Sequence, residues 1–149
     1  MLGFVVVAEA AGAIGSFFTD TSPGSWYDSL EKPAFTPPSW VFAPVWIVLY
    51  ACIGVAAWLV WRSDATPIRQ AALTWWWVQL IWNALWTPAF FGAERASLAF
   101  VIIIALLVTA SIAAVRMAHV RRAAGRLMLP YIAWVCFAAA LNAAILVQN

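Results

Sequence analysis

Five apolar stretches alternate along the chain with short polar segments that hold most of its charges and prolines. These stretches cover residues 2–18, 41–61, 68–90, 97–117 and 127–147. Crossing a bilayer core of about 30 Å takes about 20 mostly apolar residues in a helix, and each stretch is close to that length. The pattern predicts an all-α membrane protein, a five-transmembrane-helix bundle that forms one domain over residues 1–149.

The composition excludes an ordinary soluble domain. Of the 149 residues, 66% are hydrophobic and 9% are charged, whereas soluble domains carry about 25% charged residues. The first apolar stretch has no basic residue before it and contains Glu9. We therefore interpret it as a retained membrane span and not as a secretory signal. The lipid bilayer is an expected partner of most of the chain.

The basic residues predict which ends of the helices face the cytoplasm. Six of the eight fall in or beside the second and fourth connections: Arg62, Arg69, Arg116, Arg121, Arg122 and Arg126. The first and third connections carry only Lys32 and Arg95. By the positive-inside rule, the N-terminus is cytoplasmic, and the first loop and the C-terminus lie on the opposite side of a bacterial cell membrane. Topology accounts for the arginines, so no nucleic acid partner is expected.

Residues for hydrolytic or metal chemistry are scarce. The chain has one histidine, His119, and its two cysteines, Cys52 and Cys136, fall inside separate predicted helices. A metal site needs three or four convergent ligands, and a serine or cysteine triad needs a base. We expect no metal site, no catalytic triad and no required cofactor.

Amides and aromatic rings form a stripe on the third predicted helix. Gln79 and Asn83 stand four residues apart and so share a helix face, along which rings recur at three- or four-residue steps. These rings are Trp75, Trp82, Trp86 and Phe90. Polar side chains are costly in lipid and usually face a bundle interior or a cavity. The stripe therefore predicts one wall of a groove.

The fifth predicted helix carries a matching stripe. Tyr131, Trp134, Ala138 and Asn142 follow one another at three- or four-residue steps, which places Asn142 one turn from a small residue that leaves space. Together the two stripes predict a site for a flat aromatic ligand. A second interpretation stays open: the amides hydrogen-bond across helices, and the tryptophans anchor the helices at the membrane interfaces.

Glu9 is the one acid inside a predicted span. An ionised carboxylate is costly there unless it is paired or faces water. It is interpreted either as a proton or ligand site or as a neutral or water-facing acid near the membrane boundary. Small residues beside it, Gly12 and Gly15 among them, predict close packing of this helix.

The first loop is rich in prolines and aromatic residues. Pro33, Pro37, Pro38 and Pro44 each fix φ and remove a backbone donor, and the residue before each is pushed toward extended geometry. A stiff segment that carries Trp26 and Tyr27 loses little entropy when it closes over a cavity, so we interpret the loop as a lid. The alternative is a loop that its aromatic residues anchor at the interface.

Three ordered blocks of residues cover nearly the whole chain. The first runs from Trp26-Tyr27 through Lys32-Pro33, Pro37-Pro38 and Pro44-Val45-Trp46 to Leu49-Tyr50. The second is Gln79-Leu80, Asn83, Trp86, Pro88 and Phe90-Phe91-Gly92, and the third is Pro130-Tyr131, Trp134, Phe137-Ala138 and Leu141-Asn142. Together they resemble the family of tryptophan-rich sensory proteins and mitochondrial translocator proteins, formerly called peripheral benzodiazepine receptors.

The resemblance implies a compact five-helix bundle, often a homodimer, with a ligand cavity that the first loop caps. The implied ligands are tetrapyrroles such as protoporphyrin IX and haem. Matched position by position, the implied ligand-binding residues are Tyr27, Trp46, Tyr50, Asn83, Trp86, Trp134 and Ala138. The stripes on the third and fifth predicted helices add Gln79 and Asn142 to the expected ligand-binding residues.

Three functions follow from these residues. The leading one is an integral membrane translocator or sensor that binds a porphyrin, haem or another flat hydrophobic molecule. A second is light- or oxygen-dependent porphyrin breakdown with oxidation of Trp26, although Phe35 stands where many members of the family carry a tryptophan. A third is a membrane scaffold, in which the small-residue face at Ala139 and Ala143, or that at Ala140 and Ala144, docks a partner helix.

Overall fold

The computed structural model describes all 149 residues and contains six helices and no strands. The helices are α1 (Leu2–Ser16), α2 (Trp26–Ser29), α3 (Phe42–Trp61), α4 (Pro67–Thr87), α5 (Ala96–Val120) and α6 (Arg122–Gln148). Five of them are long, and α2 is a single turn within the first loop. The all-α class expected from the pattern is confirmed.

Three helical segments are long and apolar enough to cross a membrane: Ser39–Trp61, Ala96–Val120 and Arg122–Gln148. Helix α1 is apolar but has only 15 residues. Large apolar side chains cover the outside of the bundle, such as Val101 and Val108 on α5 and Ile81 on α4. Because water would disfavour such a surface, it is typical of a protein that lies in lipid.

The five long helices form a closed ring. Helix α1 packs on α3, α3 on α6, α6 on α5, α5 on α4, and α4 again on α1. Helices α1 and α3 approach closely, since a β-carbon on Gly54 would lie 2.6 Å from the Cα of Val5. At the neighbouring residue of α3, the Ile53 carbonyl accepts from the indole N–H of Trp76 on α4 at 3.0 Å, and the Trp76 ring packs on Phe4 of α1 at 5.7 Å. A glycine contact and a buried hydrogen bond thus hold α1, α3 and α4 together.

Helix α4 ends differently from the expected apolar stretch 68–90. It stops at Thr87, and residues Pro88–Gly92 form one wide π-helical turn that closes with the Ala93 N–H donating to the Pro88 carbonyl at 2.8 Å. Proline has no N–H for the α-helical ladder, and its ring crowds the preceding turn. The turn carries Phe90 inward against the first loop.

The fourth connection is much shorter than the expected gap between residues 117 and 127. Helix α5 continues to Val120 and α6 begins at Arg122, so Arg121 alone makes the turn, in extended geometry. The tight turn depends on Gly125, where a β-carbon would lie 2.5 Å from the β-carbon of Ala118. The apolar pattern missed the last turn of α5 and the first turn of α6, because their exposed residues are the polar His119, Arg122 and Arg126.

The first loop and the C-terminus lie at the same end of the bundle. The Asn149 side chain accepts from the Glu31 N–H and donates to the Glu31 carbonyl, both at 3.0 Å. Within the loop, the Ser25 hydroxyl caps α2 by accepting from the Asp28 N–H. A 3₁₀ turn, Ser39–Val41, leads into α3, and Pro44 occupies the third position of that helix. There its missing N–H costs no helical bond.

Candidate functional site

A cavity of about 420 Å³ lies inside the helix ring, and the first loop contributes to its lining. Seven of the nine predicted site residues line it: Tyr27, Trp46, Tyr50, Asn83, Trp86, Ala138 and Asn142. They come from α2, α3, α4 and α6, so residues from distant parts of the chain meet in one space. Ile103 and Leu106 of α5 complete the lining on the side of that helix.

The other two predicted residues lie behind the cavity wall. Gln79 is fully buried one turn from Asn83 and does not reach the cavity. Trp134 packs edge-on against Trp46, with ring centroids 6.5 Å apart, so it supports a lining residue. Trp26, the residue considered for porphyrin breakdown, also lies outside the lining, and its ring packs against Phe90 at 5.4 Å.

A chain of buried hydrogen bonds joins three helices beside the cavity. The Tyr50 hydroxyl donates to the Asn83 carbonyl oxygen at 2.6 Å, and the Asn83 amide donates to the Tyr131 hydroxyl oxygen at 3.0 Å. Tyr131 in turn donates to the Gln79 Oε1 at 2.6 Å. Two buried nitrogens are left without a partner: the Gln79 Nε2 in this chain and the indole nitrogen of Trp134. The chain joins α3, α4 and α6 beside the cavity.

Asn142 makes a second polar link. Its carbonyl oxygen accepts from the Trp86 indole N–H at 3.4 Å, and its amide donates to the Ala96 carbonyl at 3.0 Å. Asn83 and Asn142 thus both hydrogen-bond across helices, as the second interpretation of the amides expected. Both also line the cavity. The same amides that hold the helices together present polar atoms to the enclosed space.

Two stacked pairs of rings line the cavity. On α3, Trp46 and Tyr50 stack at 5.3 Å with an interplanar angle of 24°. At the end of α4, Trp86 and Phe90 stack at 5.5 Å and 23°. All four rings belong to the lining. Such faces suit a flat, apolar molecule, which gains contact area by lying parallel to a ring.

The first loop packs onto the cavity through Tyr27. This side chain is buried, and its ring lies 5.3 Å from Phe91 and 6.3 Å from Phe90. Burial raises the pKa of the Tyr27 hydroxyl above its ordinary value. Lys32 sits over the outer side, with its Nζ 4.9 Å from the ring centroid and donating to the carbonyls of Asp28 and Leu30. The amine is therefore engaged within the loop.

Several lining residues lay outside the predicted site. Hydroxyl groups of Ser16, Thr19, Thr21 and Ser39 line the side near the first loop, and Glu9 lines the α1 side. Only Glu9 gave a sequence signal, as an acid inside an apolar stretch. The hydroxyl residues follow no helical spacing because all four lie in loops or at helix ends. Pattern analysis therefore had no means to find them.

Glycines thin the α1 wall and allow its neighbours to approach. A β-carbon on Gly12 would overlap the Tyr50 ring, and one on Gly15 would lie 2.9 Å from the Thr87 hydroxyl oxygen. Tyr50 cannot move aside freely because it stacks on Trp46 and donates to Asn83. Small residues at these two positions are therefore part of the cavity's shape.

The Gly12→Ala variant is expected to lower the free energy of unfolding by about 2 kcal/mol, the typical cost of inserting a methyl group into a packed interior. Thermal unfolding in detergent measures the change. Gly3→Ala in the same helix is the matched control, because a β-carbon there has no neighbour within 4 Å. Equal unfolding temperatures for the two variants would contradict this packing.

These features define a class: an integral membrane protein made of an all-α bundle with a cavity among its helices. A family model described as the TspO/MBR family matches residues 4–148. The chain belongs to this family. The resemblance drawn from the three sequence blocks is thereby confirmed.

Relatives from distant organisms agree over nearly the whole chain. The chain is 38% identical to the tryptophan-rich protein TspO of Archaeoglobus fulgidus, over 100% of this chain and 96% of the relative. It is 37% identical to the translocator protein of Homo sapiens, over 95% of this chain and 85% of the relative. Protein CrtK of Rhodobacter capsulatus is 36% identical, over 93% of this chain and 86% of the relative.

Proposed function

We propose that this protein is a membrane translocator or sensor that binds a tetrapyrrole, such as protoporphyrin IX or haem, in the cavity within its helix ring. The observation that carries the proposal is the pair of stacked ring sets, Trp46 with Tyr50 and Trp86 with Phe90, on one enclosed space. Ligand cavities in proteins measure about 300 to 1,000 Å³ and combine apolar walls with a few polar groups. At about 420 Å³ this cavity falls in that range.

The polar groups suggest how such a ligand would orient. The macrocycle would lie on the rings, while Asn83 and Asn142 offer amide groups at the cavity wall. The hydroxyl groups of Thr21 and Ser39 lie toward the first loop, where carboxylate side chains of a porphyrin could accept hydrogen bonds, whereas the Thr19 hydroxyl already donates to the Gly15 carbonyl. Because its walls are mostly apolar and offer few polar contacts, the cavity would select ligands mainly by shape and only modestly by their polar groups.

The first loop would act as the lid of this cavity, and five helices would cross the membrane. Tyr27, Phe42 and Ser39 line the cavity from the loop and the start of α3. Helix α1 has 15 residues, or about 22 Å at 1.5 Å per residue, and Phe17 and Phe18 extend its apolar stretch. The link between Asn149 and Glu31 supports an even number of crossings between the first loop and the C-terminus.

Five crossings agree with a cytoplasmic N-terminus and with a first loop and C-terminus on the opposite side of a bacterial cell membrane, since the arginine-rich connections then face inward. A homodimer belongs to the same proposal. It rests on the resemblance and on the small-residue face of α6 at Ala140 and Ala144, since Ala139 of the other candidate face is buried in the core of the bundle.

A dark titration with protoporphyrin IX tests the proposal. We expect the Soret band to shift saturably near one ligand per chain, and the Trp46→Ala variant to raise the Kd about tenfold because a central aromatic contact is lost. Trp77→Ala is the matched control, because this tryptophan of α4 is 48% exposed and does not line the cavity. Binding that does not saturate, or that the two variants weaken equally, would overturn the proposal.

The same samples separate binding from chemistry. Under light, loss of the Soret band that requires the protein and slows in Trp26→Phe would favour porphyrin breakdown. Trp26 touches Phe90, and Phe90 lines the cavity, so a bound macrocycle would lie one ring away from this indole. A Soret band that stays constant under light would mean that the protein binds the porphyrin but does not break it down.

A further inference from the structure

Glu9 is the only charged residue that lines the cavity. No lysine, arginine or histidine contributes to the lining. An ionised Glu9 would therefore have no counter-charge among the residues that line the cavity. A ligand that reaches the α1 side of the cavity meets a carboxylate and otherwise mostly uncharged, apolar walls.

Glu9 forms no hydrogen bond or ion pair within the chain. The nearest titratable group that faces it is Tyr50 of α3, whose ring lies against α1 at Gly12, three residues along from Glu9. The Tyr50 hydroxyl donates to Asn83, and the Asn83 amide donates to Tyr131. From α4, only the neutral Asn83, Trp86 and Thr87 line the shared space, and no acid or base of α6 does. The proton of the Tyr50 hydroxyl is therefore not available to Glu9.

An acid with no partner in a membrane span is costly, and such residues mark ligand or ion pathways. A cation at short range offsets the cost of placing a carboxylate in such a site. The lining offers N–H donors, among them the Trp46 indole, but no cationic side chain. A counter-charge has to arrive with the ligand.

We propose that Glu9 forms a subsite for a protonated amine, or a comparable cationic N–H group, on a flat apolar ligand. The inference rests on the proposed function and narrows its ligand class: one end of the ligand carries a positive N–H group toward α1. The Glu9 carboxylate would repel acidic substituents from the end of the ligand near α1. Those substituents would instead lie near the hydroxyl groups beside the first loop.

Two derivatives of protoporphyrin IX with equal length test the subsite. One carries a single amide of ethylenediamine and ends in an amine, and the other carries a single amide of ethanolamine and ends in a hydroxyl group. The native protein is expected to bind the amine about tenfold more tightly, as one charge-assisted hydrogen bond would give. In Glu9→Gln the two affinities should become equal.

Asp64→Asn is the matched control, because it removes one negative charge in the connection between α3 and α4, away from the cavity. It should keep the tenfold preference. Equal affinities of the native protein for both derivatives would overturn the subsite and leave the proposed function standing. If neither derivative saturates, the proposed function and the subsite both fail. Because the native protein alone gives this result, the test does not depend on the folding of Glu9→Gln.

Discussion

Replacing Gly54 with alanine is expected to lower the free energy of unfolding by about 3 kcal/mol, at the upper end of the usual cost of overpacking. The new β-carbon would lie 2.6 Å from the Cα of Val5, 2.9 Å from its nitrogen and 3.0 Å from the Phe4 carbonyl oxygen. All three atoms belong to the backbone of α1 and cannot rotate away. The two helices would have to separate along their whole contact.

The expected result is a fall in the unfolding temperature of about 10 °C in detergent, together with weaker ligand binding, because α1 and α3 are adjacent walls of the cavity. Gly3→Ala again provides the same chemical change without a neighbour within 4 Å. Unfolding of Gly54→Ala within a degree or two of that control would show that α1 does not pack on α3 as described.

Replacing Asn83 with leucine, a residue of similar shape, is expected to lower the free energy of unfolding by about 3 kcal/mol. Asn83 is the centre of the buried hydrogen-bond chain, accepting from Tyr50 at 2.6 Å and donating to Tyr131 at 3.0 Å. Its loss leaves the buried Tyr50 hydroxyl without an acceptor. A stranded buried donor costs about 1 to 3 kcal/mol, in addition to the lost bond itself.

A second substitution separates this polar cost from a change in packing. In the double variant Asn83→Leu with Tyr50→Phe, no stranded hydroxyl remains on α3, because both partners are apolar. Chemical or thermal unfolding should therefore show the double variant to be more stable than Asn83→Leu alone, by at least about 1 kcal/mol. A double variant that is less stable than the single one would mean that the hydrogen bond between these residues does not carry the effect.

The helices show where local patterns succeed and where they stop. Apolar runs separated by charges predicted helices close to α3 and α5, because each residue there needs only its own neighbours and the surrounding lipid. The same patterns extended α4 through Pro88 and began α6 five residues late. Both ends depend on particular backbone chemistry: the missing N–H of Pro88 and the close approach of Gly125 to Ala118.

Within the site, residue spacing identified which side chains share a helix face, but not which of them reach the cavity. Gln79 and Asn83 stand one turn apart on α4, and only Asn83 reaches the cavity, because the Tyr131 hydroxyl lies between the two amides. On α6, Ala138 lines the cavity while Trp134 supports Trp46 from behind. The helical period of 3.6 residues predicts which side chains share a face. It does not predict which of them pack against another helix and which border a cavity.

The sequence by itself determined that this is a membrane protein of helices, that its aromatic and amide residues share inward faces, and which family it resembles. Those properties depend on composition and on residues three or four apart. Only the tertiary structure decided that the ring closes from α4 back to α1, that Tyr27 packs down onto it, and that Glu9 shares a cavity with Asn142. A cavity lies where packing stops, and packing depends on side-chain volumes contributed by residues far apart along the chain.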